Sequence, residues 1–235
     1  MSPKARDTST GSRAQIIARI RDGLGVAPDD AERKSAVAAR LKSTKPHLIP
    51  SRVTKPGTDL PALLRVFLEG QSATVVNVAA PADVPSAVAD FLRSSNLPQR
   101  VRMGDDPFLA KLGWSTEPTL ERQQGRAEAE DEVGLSHAVV AVAETGTLVL
   151  ASGDENPVTL NFLPETHIVV LKAKDIVGPY ETAFERVRSA YGRGTMPRTL
   201  NLISGPSRTG DIGGKLVMGA HGPRRMCVIV VDDAD

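Results

Sequence analysis

Residues 138–151 read AVVAVAETGTLVLA, which is two short apolar runs joined by the polar turn Glu144-Thr145-Gly146. Apolar runs of this length, built from Val, Leu and Ala, are typical of strands that are buried on both faces. Gly146 allows the backbone to turn between the two runs. This stretch therefore predicts a pair of core strands in an α/β domain.

The segments on either side of this pair continue the α/β pattern. Before it, helix and strand alternate as in a βαβ unit with a parallel sheet; the segments are residues 60–68, 73–78, 83–94 and 100–103. After it, we expect three further strands and one helix, over residues 168–171, 200–204, 227–231 and 180–191. The charged stretch 121–132 predicts a helix or a surface loop. The fold class expected is α/β with an open, Rossmann-like sheet.

The N-terminal part of the chain has a different character. Its first 45 residues carry ten Lys or Arg against five Asp or Glu, and Ile16, Ile20 and Leu24 recur at helical spacing. A second helix is expected over residues 29–41, before a proline-rich crossing. We therefore expect a helical N-terminal arm and linker over residues 1–57 and the α/β domain over residues 58–235.

Composition excludes several classes of function. Lys plus Arg is 29 and Asp plus Glu is 28, and aromatic residues make up 3% of the chain, so nucleic acid is not an expected partner. The single cysteine, Cys227, excludes an intrachain disulfide and an iron–sulfur cluster held by this chain alone. No segment approaches the roughly 18 apolar residues of a membrane span, so we expect a soluble, cytoplasmic protein.

Glu144 is the first candidate for chemistry. A carboxylate at a strand end in partly apolar surroundings can become a base or a nucleophile, because desolvation raises its pKa. The hydroxyls of Thr145 and Thr147 face the same turn. The alternative is a structural or solvated carboxylate in a tight turn.

Two histidines follow in polar turns. His167, in the stretch LPETHI at 163–168, could act as an acid, a base or a hydrogen-bond donor to an anion, or could satisfy a backbone carbonyl. His221, in GAHGP at 219–223, lies between glycines that leave its ring accessible to a substrate oxygen. The same glycines could serve only a tight turn. Neither stretch has metal-ligand spacing.

The stretch ISGPSRTGDI at 203–212 follows a predicted strand directly. A Gly/Ser loop at the carboxyl end of a strand in a parallel sheet offers free backbone N–H groups to an anion. Arg208 adds a planar, bidentate donor for a carboxylate or a phosphate. The loop is neither a Walker loop nor a dinucleotide fingerprint. It predicts an anion site, with a structural turn as the alternative.

The motifs AETGTLVL, LPETHIVV, SGPSRTGDI and GAHGP, in this order, resemble those of the LUD-domain family of lactate-utilisation proteins. The resemblance implies the Rossmann-like fold of CoA transferases, ribose-phosphate isomerase and glucosamine-phosphate deaminase. It also implies a part in oxidising L-lactate to pyruvate, beside partner subunits that carry iron–sulfur clusters. The family motifs fall on Glu144, Thr145, Gly146, Thr147, His167, Gly205, Pro206, Ser207, Arg208, Thr209, Asp211, His221, Gly222 and Pro223.

The residue pattern and the resemblance together predict a subunit that does not carry electrons. The chain has neither a cluster-binding cysteine set nor a nicotinamide or flavin fingerprint. We expect it to bind a small anionic ligand or its partner subunits, with Glu144 and His221 as candidate catalytic residues. Two alternatives stay open at this point. One is a free-standing enzyme that uses Glu144 on a CoA thioester or a sugar phosphate, and the other is a ligand-sensing module without catalysis.

Overall fold

The computed structural model describes residues 9–25, 27, 29–43, 48–192 and 194–232. The chain divides into two units, residues 1–47 and residues 48–235. The first unit contains two helices, α1 (Ser9–Leu24) and α2 (Ala31–Lys42), close to the positions expected from the sequence. Asp30 caps the N-terminus of α2, because its carboxylate accepts a hydrogen bond from the N–H of Arg33.

Within its described residues, the second unit contains five α-helices and twelve strands. The helices are α3 (Leu60–Gly70), α4 (Val84–Ser94), α5 (Pro107–Ala110), α6 (Thr159–Phe162) and α7 (Tyr180–Tyr191). The strands are β1 (Thr74–Val78), β2 (Arg100–Met103), β3 (Glu121–Gln124), β4 (Val133–His137), β5 (Val140–Val142), β6 (Thr147–Ala151), β7 (Thr166–Lys172), β8 (Ile176–Val177), β9 (Leu200–Ile203), β10 (Arg208–Ile212), β11 (Lys215–Met218) and β12 (Arg225–Val231). No helix in the described part of the chain is both long and apolar enough to cross a membrane.

Six of the strands form an open parallel sheet in the order β1-β12-β7-β4-β2-β3. Every neighbouring pair in this sheet is parallel. This architecture confirms the predicted α/β fold class. The longest pairing joins β7 to β12 over seven residues each, from Thr166 opposite Arg225 to Lys172 opposite Val231.

The two central strands are buried on both faces, as their continuous apolar sequences predict. Ile168 and Cys227 point to a core shared with α4, while Val169 and Val228 point to a second core shared with α3. Burial raises the pKa of the Cys227 thiol to about 12, so this cysteine is protonated at neutral pH. Cys227 is thus a core residue, as the sequence indicates.

A second sheet of four strands, in the order β8-β5-β6-β9, covers the α3 side of the parallel sheet. Strands β5 and β6 are antiparallel, with Val142 opposite Thr147, which confirms the predicted turn at 144–146. Helix α7 packs on the other face of this sheet through Ala183 and Val187. Strands β10 and β11 form a separate hairpin.

Two expectations about the strands are wrong. The charged stretch 121–132 begins with β3, because an edge strand exposed along its whole length has no apolar pattern to reveal it. Strand β4 was not expected, since Gly134 and Ser136 interrupt its apolar pattern. Strand β4 ends at His137, and the apolar residues that follow form β5 in the four-stranded sheet.

Gly146 determines how the β5–β6 turn packs on α3. Its φ is +68°, and a Cβ at this position would lie 2.6 Å from the Cβ of Phe67 and 3.1 Å from the backbone nitrogen of Leu68. Only glycine adopts this backbone conformation readily and leaves room for the helix. The turn and the helix therefore depend on each other.

We expect Gly146→Ala to lower the free energy of unfolding by about 3 kcal/mol, through backbone strain and the clash with α3. Urea denaturation measures this change. Gly153→Ala is the matched control, because nothing lies within 4 Å of a Cβ there; its effect should stay within about 0.5 kcal/mol. Equal effects of the two substitutions would contradict the packing described.

Candidate functional site

A cavity of about 290 Å³ lies where the amino ends of β7 and β12 meet the loop that follows β9. This volume is at the lower end of the range for small-molecule pockets. The residues that line it are Asn161, Phe162, His167, Leu202, Ile203, Ser204, Gly205, Pro206, Ser207, Arg208, His221, Gly222, Pro223 and Met226. Three of the four sequence motifs therefore meet at one cavity.

The position of the cavity differs from the one expected. The loop at 204–207 does follow a strand, but β9 pairs with β6 in the four-stranded sheet. The expectation that this loop lies at the carboxyl edge of the parallel sheet is therefore wrong. The sequence identifies a strand before the loop but not the sheet to which that strand belongs.

Backbone hydrogen bonds hold the three motif segments together. The N–H of Ser207 donates to the carbonyl of Pro223 at 2.8 Å, and the N–H of Gly219 donates to the carbonyl of Ser207 at 2.9 Å. The N–H of Arg224 donates to the carbonyl of Glu165 at 2.9 Å, which joins the last motif to the start of β7. The shape of the cavity is therefore built into the main chain.

Gly205 has a packing role as well as a place in the cavity wall. Its φ is +144°, and a Cβ there would lie 2.8 Å from the Cβ of Gln71, just after α3. The need for glycine at this position thus has a structural cause that requires no ligand.

A buried polar chain lies beneath the cavity. The Nε2 atom of His167 is 3.0 Å from the hydroxyl of Ser136, which donates to the Oδ1 of Asn161 at 3.2 Å. This direction places the imidazole proton of His167 on Nε2. Burial lowers the pKa of His167 from 6.5 to about 3, so the ring is neutral at physiological pH. Its observed partner is a side-chain hydroxyl.

Asn161 lines the cavity and has an amide donor without a partner in the described part of the chain. Its side chain is 1% exposed, and its Nδ2 atom has no hydrogen-bond partner among the described residues. Such a buried amide is suited to donate to an oxygen of a ligand. Asn161 is not recognisable from the sequence, because it lies in the short helix α6 outside all four motifs.

Arg208 and His221 bring exposed polar side chains to the cavity wall. Within the described part of the chain, the guanidinium of Arg208 pairs with no carboxylate. The backbone N–H of His221 lies 3.4 Å from the hydroxyl of Ser207. An unpaired guanidinium beside several donors favours an anionic ligand.

A cluster of hydroxyl groups connects the Glu144 turn to the cavity. The hydroxyl of Thr147 lies 2.7 Å from that of Thr145 and 2.7 Å from that of Ser204, which lines the cavity. The hydroxyl of Tyr180 is 2.8 Å from both threonine hydroxyls. Thr145 and Thr147 therefore support the cavity loop from behind and do not line the cavity.

The structure does not bring Glu144 to the cavity. Its backbone N–H donates to the carbonyl of Gly178 at 3.1 Å, and its carbonyl accepts a hydrogen bond from the guanidinium of Arg52 at 3.1 Å. Glu144 is absent from the cavity lining, as are Gly146 and Thr209. The side chain of Asp211 lies outside the described residues.

Comparison with known proteins assigns the chain to a family. A model of the LUD domain matches residues 57–231. Lactate utilization protein C of Shouchella clausii is 36% identical over 113 residues, which cover 48% of this chain and 49% of that protein. Lactate utilization protein C of Geobacillus thermodenitrificans is 34% identical over 146 residues, which cover 55% of this chain and 61% of that protein. The match thus spans about half of the length of these relatives.

A solved structure supports the fold. The crystal structure of a DUF162 family protein from Deinococcus radiodurans aligns with a TM-score of 0.54 and 23% sequence identity. The alignment covers 74% of this chain and 96% of that one. At 23% identity, the similarity between the two proteins shows a shared fold and nothing further.

The buried imidazole of His167 predicts a specific pH dependence of stability. Well above pH 6.5 the ring is neutral in both the folded and the unfolded state, so His167 adds no pH dependence to the free energy of unfolding. Below that value the unfolded chain takes up a proton that the folded chain binds only near pH 3. The folded state should therefore lose roughly 1 kcal/mol per pH unit from this residue between about pH 6 and pH 4.

Urea denaturation of the wild type and of His167→Gln across this range measures the effect. Gln can keep a hydrogen bond to Ser136 but does not titrate. The difference in free energy of unfolding between the two proteins should change steadily as the pH falls. Parallel curves would show that His167 is not buried as described.

Proposed function

Because this chain belongs to the LUD domain family, we propose that it serves lactate utilisation as a subunit that binds a small carboxylate. Its relatives with the name Lactate utilization protein C motivate the metabolic role. The observation that carries the binding role is that one cavity is lined by both Arg208, whose guanidinium has no carboxylate partner among the described residues, and Asn161, whose amide donor has none. We further propose that partner subunits carry the electrons.

The chemistry of the cavity suits a short hydroxy or keto acid. The guanidinium of Arg208 can take both oxygens of a carboxylate in a bidentate pair. The Nδ2 of Asn161 can donate to the neighbouring hydroxyl or keto oxygen, and Phe162 and Met226 offer apolar surface to a methyl group. L-Lactate and pyruvate combine these three features.

The same chain is poorly suited to carry electrons by itself. A cysteine-ligated iron–sulfur cluster needs several thiolates, but Cys227 is the single cysteine of the chain, and burial raises the pKa of its thiol to about 12. We therefore propose that iron–sulfur subunits act beside this one. The exposed apolar side chains of α1, Ile16, Ile20 and Leu24, lie on a basic helix and are a candidate surface for docking to such a partner.

Binding of L-lactate and of pyruvate, measured by calorimetry, tests the ligand. We expect Arg208→Met to weaken the affinity by about tenfold or more, because it removes a charge-assisted pair. Asn161→Leu should also weaken the affinity, because leucine keeps the volume of the side chain but lacks the amide donor. Arg126→Met is the control, because Arg126 is exposed and pairs with Glu128 at 3.3 Å, apart from the cavity lining. Equal affinities in wild type and Arg208→Met would contradict the proposed site.

Growth on L-lactate tests the metabolic role. Deleting the gene should abolish growth on L-lactate, and the wild-type chain should restore it while Arg208→Met does not. The purified native complex should contain partner subunits that show iron–sulfur absorbance. Normal growth of the deletion strain, in a cell that lacks a second copy of the gene, would contradict the proposal.

A further inference from the structure

The parallel sheet has a point at which the direction of its connections reverses. From β2 the chain continues to β3, which pairs with one side of β2. Strand β4 pairs with the other side of β2. After β4 the chain passes through the second sheet and returns as β7, which lies on the side of β4 that faces away from β2. At such a switch point a crevice opens outside the carboxyl ends of the two strands, and open α/β sheets bind ligands there.

Two side chains meet at the carboxyl ends of β2 and β4. Asp106, which follows β2, places its Oδ2 atom 3.1 Å from the Nδ1 atom of His137, the last residue of β4. The other oxygen of Asp106 accepts hydrogen bonds from the N–H groups of Phe108 at 2.9 Å and Leu109 at 2.8 Å. Asp106 is 8% exposed, so its carboxylate is largely shielded from solvent.

The state of the carboxyl determines which ring nitrogen of His137 is free. Burial favours the neutral acid, but the hydrogen bonds from His137 and from two backbone N–H groups outweigh it and hold the pKa of Asp106 below its usual value. Asp106 is therefore a carboxylate, and His137 donates to it from Nδ1. In the neutral form of the ring, the lone pair of Nε2 is then left to accept a hydrogen bond.

The Nε2 atom of His137 is buried, and no described residue donates to it. A buried polar atom without a partner is unfavourable, and natural proteins rarely leave one without a cause. The Asp106 carboxylate holds the ring by its other nitrogen, which is how proteins orient a histidine toward a ligand. Nothing in the lactate site described above uses this residue.

A positive charge lies beside the same ring system. Lys172, the last residue of β7, places its Nζ atom 4.0 Å from the centre of the Phe108 ring, which lies 4.7 Å from the centre of the His137 ring. No carboxylate in the described part of the chain forms an ion pair with Lys172. The ammonium of Lys172 and the imidazole of His137 therefore both contact the ring of Phe108.

We propose that this crevice is a second ligand site, which binds a small oxyanion that carries an O–H group. The O–H donates to Nε2 of His137, and the anionic oxygens pair with Lys172. A hydroxycarboxylate and a hydrogen phosphate share this chemistry. The site is separate from the cavity, because His167 and Lys172 lie five residues apart on β7, about 17 Å.

Imidazole NMR of the full chain tests the site, with the signals of His137 assigned from the variant His137→Gln. L-Lactate and inorganic phosphate are added in separate titrations. We expect at least one of them to shift the Nε2 signal of His137 to saturation, and the one that does so identifies the anion. Absence of any shift with both probes would overturn the proposal and leave a structural Asp–His pair.

Variants separate this site from the proposed lactate cavity. Lys172→Met keeps the apolar stem on Phe108 but removes the charge, so it should weaken the response of His137 by about tenfold or more. Lys172→Arg keeps the charge and should retain the response, and Arg208→Met should leave it unchanged. If Lys172→Met left the affinity at His137 unchanged, or if Arg208→Met removed the response of His137, the second site would be overturned. This conclusion would not depend on whether the cavity at Arg208 binds lactate.

Discussion

The parallel pairing of β7 with β12 fixes the positions of the core layers and of the polar groups at both ends of the sheet. Its register sets His167 beside Met226 at one end and Lys172 beside Val231 at the other. Because both strands are buried on both faces, a slip of one residue would move every core side chain to the opposite layer. The register therefore positions the cavity wall at the amino ends and the Lys172 ammonium at the carboxyl ends.

The cavity combines a rigid base with polar groups in its wall. The neutral ring of His167, the hydroxyl of Ser136 and the amide of Asn161 form one chain of hydrogen bonds below it. This chain orients the unused donor of Asn161, while Arg208 brings the positive charge. Glu144 does not line the cavity and lies in the turn that Gly146 packs on α3, so the geometry favours binding in the cavity over chemistry at Glu144.

Much of the fold and part of the site could be predicted from the sequence. The run at 138–151 revealed the β5–β6 hairpin, and the Arg208 and His221 motifs identified residues that do share a cavity. Asn161 could not be found, since its role depends on a hydrogen bond to Ser136, which is 25 residues away. The pairing of Asp106 with His137 likewise requires the strand order, because β2 and β4 are neighbours in space but not in sequence.

A crystal structure of the protein with L-lactate would show whether the cavity at the amino ends of β7 and β12 recognises a short carboxylate. We expect the ligand carboxylate to lie against the guanidinium of Arg208, with its hydroxyl oxygen within hydrogen-bond distance of Nδ2 of Asn161. A saturated crystal in which the cavity holds no lactate, or in which lactate occupies another site alone, would contradict this expectation.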